Sequence, residues 1–169
     1  GSINYPLWLI GRNPDIRIAI VSTTVGQAEL FVRQIRMTVE SSARYAHLFG
    51  SLRPDVKARW TDGEIMVKRP KVMKDATVTA LGCGSPIIGR RFDVILGDDI
   101  LDEENTYTEN QRAKVRTWLW KTLYPTLEPN GLLRFYGTRW HLDDLYGEMA
   151  KDPRFKAVTF GAITGINGP

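Results

Sequence analysis

The segment FDVILGDDILD, residues 92–102, constrains the fold more than any other. Val94, Ile95 and Leu96 follow one another with no polar alternation. A strand built from them must be covered on both faces, as in a parallel sheet flanked by helices. The run ends at Gly97 and two adjacent carboxylates, Asp98 and Asp99. Like charges side by side at the tip of a buried strand repel. Either they cap the helix that follows in GDDILDEEN, or they face a cation that offsets the repulsion.

The rest of the chain alternates helix and strand. RIAIVS, residues 17–22, is a short apolar strand. In residues 23–42, Ala28, Phe31, Val32, Ile35 and Val39 recur at helical spacing. Residues 5–10 read as the end of an earlier helix, with Gly11 suited to its C-terminal cap ahead of Asn13-Pro14. GEIMVKRP (63–70) and ATVTALG (76–82) alternate and are β-branched, which predicts an antiparallel hairpin or neighbouring strands. Residues 105–123 predict one helix with Thr106 or Thr108 as N-cap and Val115, Leu119 and Leu123 on one face. LLRFYG (132–137) is a further strand, HLDDLYGEMAKD (141–152) a short helix and FKAVTF (155–160) a last strand. No repeat, low-complexity tract or linker divides the 169 residues. The expectation is a single α/β domain with a mainly parallel sheet.

Composition removes several classes. A lone cysteine, Cys83, excludes an internal disulfide and a multi-cysteine metal site. No apolar run approaches the ~20 residues of a membrane-spanning helix, so no membrane partner is expected. The opening GSINYPLWLIG lacks a basic leader region and a small-residue cleavage site, and Gly1-Ser2 reads as a cloning remnant. The net charge of +4 favours a polyanionic partner.

In open α/β sheets chemistry sits beyond the carboxyl ends of the strands. Three such ends carry small or polar groups: Ser22-Thr23-Thr24, Asp98-Asp99 and Gly137-Thr138-Arg139. In P-loop nucleotide hydrolases a strand-end carboxylate holds Mg²⁺, and a neighbouring group orients the attacking water. Two jobs at one point suit two carboxylates. Thr138 could sit near a γ-phosphate. Arg90 and Arg91, just before the strand, suit either a neighbouring subunit's nucleotide or a DNA backbone.

RIAIVSTTVGQAELFVRQIR, WTDGEIMVKRP, GSPIIGRRFDVILGDDI and YGTRWHLDDLYGEM, taken together and in this order, resemble the ATPase part of a phage terminase large subunit. The resemblance runs from about residue 5 to residue 160. It implies a RecA-like, additional-strand (ASCE) P-loop NTPase fold, a three-layer sandwich here incomplete at the N-terminus. It implies an ATP-driven motor moving double-stranded DNA into a procapsid, followed in many members by a nuclease domain. Carried over by residue, Asp98 matches the Walker B carboxylate that holds Mg²⁺. Asp99 matches the position usually held by a catalytic glutamate, one methylene longer. Thr138 matches the coupling motif, Arg90 or Arg91 lies near a trans-acting arginine, and Gln27 opens the helix after the STT turn. The implied cofactors are Mg²⁺ and ATP. The implied partners are double-stranded DNA, the portal protein, the small terminase subunit and further copies in a ring, within the cytoplasm of a bacterial host.

No G-x-x-x-x-G-K-[S/T] occurs in the sequence, although that loop cradles the β- and γ-phosphates. In the family it lies just before a helix like residues 5–10. Residues 1–169 therefore read as a partial ATPase domain, phosphate loop missing upstream and nuclease domain missing downstream, with little or no activity alone. Two alternatives stand beside this reading: a non-catalytic DNA-binding or assembly module of prophage origin, and a helicase-type ATPase half-domain. Of the remaining residues, Trp118 and Trp120 lie on opposite sides of their helix, one core and one near the surface. His141, at a strand–helix turn, reads as structural, and His47 is remote from it in sequence. Arg33, Arg36 and Arg44 form a solvated strip that could also face DNA.

Overall fold

The computed structural model describes residues 1–54 and 59–160. Helix α1 (Asn4–Arg12) leads into strand β1 (Ile18–Ser22), followed by α2 (Val25–Ser41) and α3 (Ala43–Phe49). A two-residue strand β2 (Glu64–Ile65), β3 (Val78–Gly82) and β4 (Phe92–Asp98) come next. Helices α4 (Glu103–Thr106) and α5 (Glu109–Trp118), strand β5 (Leu127–Tyr136) and helix α6 (Leu145–Met149) complete the order. The sheet runs β2-β3-β1-β4-β5. β1 pairs in parallel with β3 and β4, and β4 with β5, while β2 is antiparallel to β3. This is an α/β fold with a mostly parallel sheet, compatible with a RecA-like architecture.

The continuous apolar runs fill both faces. Ile18, Ile20, Val94 and Leu96 point to the side of α1–α3, where Ile10, Val32, Ile35 and Val39 meet them. Ala19, Val21 and Ile95 point the other way, onto Val115, Trp118, Leu119 and Leu123. The layers are helix, sheet, helix. At roughly 25 cal/mol per Å² of apolar area, this two-sided burial dominates the fold's stability.

Four expectations need correction. Residues 155–160 form no strand, and Val158 and Phe160 are 68% and 89% exposed. β-propensity alone does not make a strand where no sheet edge accepts it. Gly11 does not cap α1: the helix runs on to Arg12 and Asn13 caps it. Gly11 is instead a contact point, since a Cβ there would enter the Phe49 ring. The helix expected over 105–123 is broken at Tyr107-Thr108. Asp102 and Thr108 each close a capping box over their own helix, and a π-helical turn (Leu119–Leu123) extends α5. The strand expected over 63–70 pairs only at Glu64 and Ile65. Beyond them the Val67 amide takes the Thr77 hydroxyl and the Lys68 amide takes the Leu52 carbonyl. The tryptophans fall as expected, with Trp118 buried and its Nε1 on Ser85 O, and Trp120 half-buried against Tyr124 and Phe155.

Candidate active site

The parallel register brings the strand ends level. Val21 pairs with Gly97, Ser22 with Gly82 and Asp98 with Tyr136. Asp98 and Asp99 therefore stand at the tip of β4, between the STT turn after β1 and the Gly137-Thr138 turn after β5.

Each hydroxyl of the STT turn has a partner. The Ser22 Oγ, 1% exposed, donates to Asp98 O at 2.8 Å. The Thr23 Oγ1 donates to Asp99 O. The Thr24 hydroxyl accepts from the Gln27 amide and caps α2. Ser22, the last residue of β1, and Thr23 just beyond it thus clamp the backbone of both aspartates. On the other flank, the Asp99 amide donates to Tyr136 O at 2.9 Å.

Asp99 adopts φ = 45°, and no other non-glycine residue described has positive φ. Aspartate is among the few side chains that tolerate this left-handed region. The turn it makes departs from the strand direction directly after Asp98, so the adjacent carboxylates do not continue the strand's alternation. Asp99 is exposed and Asp98 half-buried.

Tyr146, on α6, braces the same corner. Its hydroxyl donates to Tyr136 O and accepts from the Ile100 amide, both at 3.3 Å. Burial raises its pKa, and the charges of Asp99, Asp98 and Asp144 raise it further. The phenol stays protonated and keeps its donor role. Gly137 is obligatory here because any Cβ would collide with the Tyr146 ring. The turn after Thr138 is organised by Asp144, whose side chain is fully buried. Its carboxylate accepts from the amides of Trp140, His141 and Gly147 and pairs with Arg139 Nε at 3.5 Å. His141 Nδ1 accepts from the Asp143 amide, a structural role.

Ser2, read above as a cloning remnant, is buried and its hydroxyl donates to Asp98 Oδ2. A groove of about 420 Å³ opens beside it, lined by Asn4, Phe31, Gln34 and Thr38 among others. A second cleft of about 340 Å³ lies on the α5 side of Thr23, reaching Cys83, Glu104 and Lys114. It includes neither Asp98 nor Thr138. Burial first, and the charge of Asp102 second, push the Cys83 thiol up to about 11.

Arg90 and Arg91 are not part of this cluster. They precede β4, at the opposite end of a seven-residue strand, about 20 Å from Asp98 at roughly 3.3 Å per residue. Arg90 pairs with Glu64 and Thr79 Oγ1, and Arg91 Nη1 donates to Pro125 O. The Arg33–Arg36 strip is partly offset within the molecule: both guanidiniums converge on the single carboxylate of Asp62, at 2.7 and 2.9 Å.

The donors around Asp98 are hard oxygens, a carboxylate and the Ser2 hydroxyl. No group of three or more His, Cys, Asp or Glu forms a metal cage among the described residues. A carboxylate and a hydroxyl are hard oxygen donors of the kind Mg²⁺ takes, with phosphate and water completing the shell.

No protein-family model matches the chain. It is similar to the large subunit of the terminase of Enterobacteria phage T3, at 23% identity over 161 residues. The match covers 94% of this chain and 27% of that protein. No described helix is long and apolar enough to cross a membrane.

Proposed function

We propose that the chain is the central part of the ATPase domain of a viral DNA-packaging motor of the terminase large-subunit kind. The observation that carries this reading is the aspartate pair at the tip of a central parallel strand, clamped by Ser22 and Thr23 and flanked by the Thr138 turn. The similarity to a terminase large subunit, spread over nearly the whole chain, supports it.

In this reading Asp98 and the Ser2 hydroxyl hold Mg²⁺, which when bound neutralises charge on the β- and γ-phosphates of ATP. Asp99 accepts a hydrogen bond from the attacking water and takes its proton as the phosphoryl group transfers. Thr138, in the turn that follows β5, would respond to the presence of the γ-phosphate. Movement of the Gly137–Thr138 turn passes to α6 through Tyr146 and Asp144. Arg90 and Arg91 lie too far along β4 to serve their own site, so either acts only on a neighbouring subunit's nucleotide in a ring. These 169 residues contain no phosphate-cradling motif, and this reading assigns that loop to a longer parent protein. Double-stranded DNA, a portal and a small terminase subunit are the partners this function requires.

The test uses the longer parent protein. Asp99→Asn keeps ATP binding and lowers turnover by ~10²–10⁴. Asp98→Asn weakens Mg²⁺–ATP binding as well. Turnover within a few-fold of wild type in Asp99→Asn would remove the base assignment.

A further inference from the structure

The strand-start edge of the sheet, opposite the aspartates, carries a second charged feature. Residues 68–75, KRPKVMKD, lead into β3 without regular secondary structure. Lys68, Lys71 and Lys74 are exposed, and Val72 between them is fully exposed. None of the three lysines takes part in an ion pair among the described residues.

The loop is held from inside. Arg69 Nη2 donates to Met73 O at 3.0 Å and to Asp75 O at 2.7 Å. Arg69 Nη1 is buried without a hydrogen-bond partner, and burial lowers the pKa of this guanidinium. A loop ordered by such an internal staple loses less conformational freedom on binding. The nearby acids serve other cations: Asp15 and Asp75 act on Arg69, and Asp93 is bonded to Arg17. Lys71 also stands near Asp93 and its amide donates to Asp15, yet its ammonium stays outside salt-bridge range. The Lys74 ammonium lies against Gly89, which brings the neighbouring loop, with exposed Ile88 and Arg91, to the same surface. The other cationic strip, Arg33 and Arg36, is partly offset by the carboxylate of Asp62 that both share.

We propose that Lys68, Lys71 and Lys74 form a surface that binds the phosphate backbone of duplex DNA without reading its sequence. Unpaired, exposed ammonium groups on a stapled loop suit phosphate contacts, which supply sequence-independent affinity. The choice of duplex DNA over other polyanions rests on the packaging reading; the unpaired cationic surface does not. It places DNA and nucleotide at opposite ends of the same parallel strands.

The experiment titrates this chain into a short labelled duplex of mixed sequence, over a salt series, by fluorescence anisotropy. Wild type binds with a steep negative dependence of log affinity on log salt. The variant K68Q/K71Q/K74Q flattens that slope by about 0.9 for each lysine engaged, up to about 2.7, and weakens low-salt binding at least about tenfold. The variant K121Q/K151Q, altered elsewhere, binds as wild type. Lys71→Glu alone gives a partial loss, and circular dichroism of every variant overlays that of wild type. Absence of duplex binding at low salt overturns the proposal. So does an unchanged slope in the triple variant, or equal affinity for single-stranded DNA. No nucleotide is present, so a parent without ATP turnover sinks the motor reading and leaves this result standing.

Discussion

At the residue scale, the identity of Asp99 has a backbone reason. The position matched by the resemblance usually carries glutamate, and the shorter side chain first reads as a loss of reach. The left-handed φ of 45° accounts for it, because a short polar side chain tolerates that conformation better than a longer one. The asparagine used to test the base is equally at home there. Asp99→Asn therefore leaves thermal stability within about 0.5 kcal/mol of wild type, while Asp99→Val, β-branched, loses about 1–3 kcal/mol. Chemical denaturation of the two variants measures the difference. Equal stabilities would show that the turn relaxes and that φ places no constraint on residue 99. That carboxylates and hydroxyls gather at the strand tips was legible in sequence, since their side chains announce themselves. Their attachment was not: the hydrogen bond from Ser22 to Asp98 spans 76 residues.

At the element scale, the starts of three parallel strands are stitched by one arginine. Arg17, before β1, donates to both carboxylate oxygens of Asp93 on β4 and to Glu128 on β5, at 2.7–3.0 Å. Burial opposes the charged form of Asp93, but its bonds to Arg17 win and hold the carboxyl below the usual range. Asp93→Ala lowers stability at pH 7 by about 1–2 kcal/mol, a figure reduced for partial exposure. A depressed carboxylate pKa contributes stability above its ordinary value near 4 and loses it as the pH falls through the folded value. The gap between wild type and variant thus closes on acidification, which urea titrations at neutral and acid pH measure; a pH-independent gap contradicts the assignment. Strand β4 could be read directly because a run covered on both faces needs no partner to be recognised. The 155–160 segment was misread for the opposite reason: pairing with a sheet edge decides a strand, and this segment pairs with neither edge strand, β2 nor β5.

At the scale of the whole molecule, the sheet separates two chemistries, aspartates and hydroxyls at one edge and unpaired lysines at the other. Besides Tyr146, two further side-chain acids are held in their neutral forms by burial. Burial pushes the Tyr45 hydroxyl, bonded to Leu7 O at 2.8 Å, up to about 12, as it does Cys83 to about 11. Both groups hold protons more tightly when folded. Their contribution is complete below the unfolded values of 9.0 and 10.0 and is lost as the pH climbs toward 11 and 12. Unfolding free energy falls through that window, and Cys83→Ala makes the early part of the decline shallower. A flat profile would mean these groups reach solvent.

What the sequence by itself determined was local: most of the strands and helices, though neither their full extents nor the segment at 155–160, and that carboxylates, hydroxyls and a threonine lie at or just beyond strand ends. Periodicity and side-chain chemistry are written in neighbouring residues, so they survive without coordinates. Only the tertiary structure decided which charges cancel and which remain. Asp62 reaches back across more than two dozen residues to Arg33 and Arg36, Ser2 finds Asp98, and Arg90 and Arg91 fall at the wrong end of β4 for their own site. Those outcomes depend on parallel register and layer packing, which set distances between residues that the chain keeps far apart.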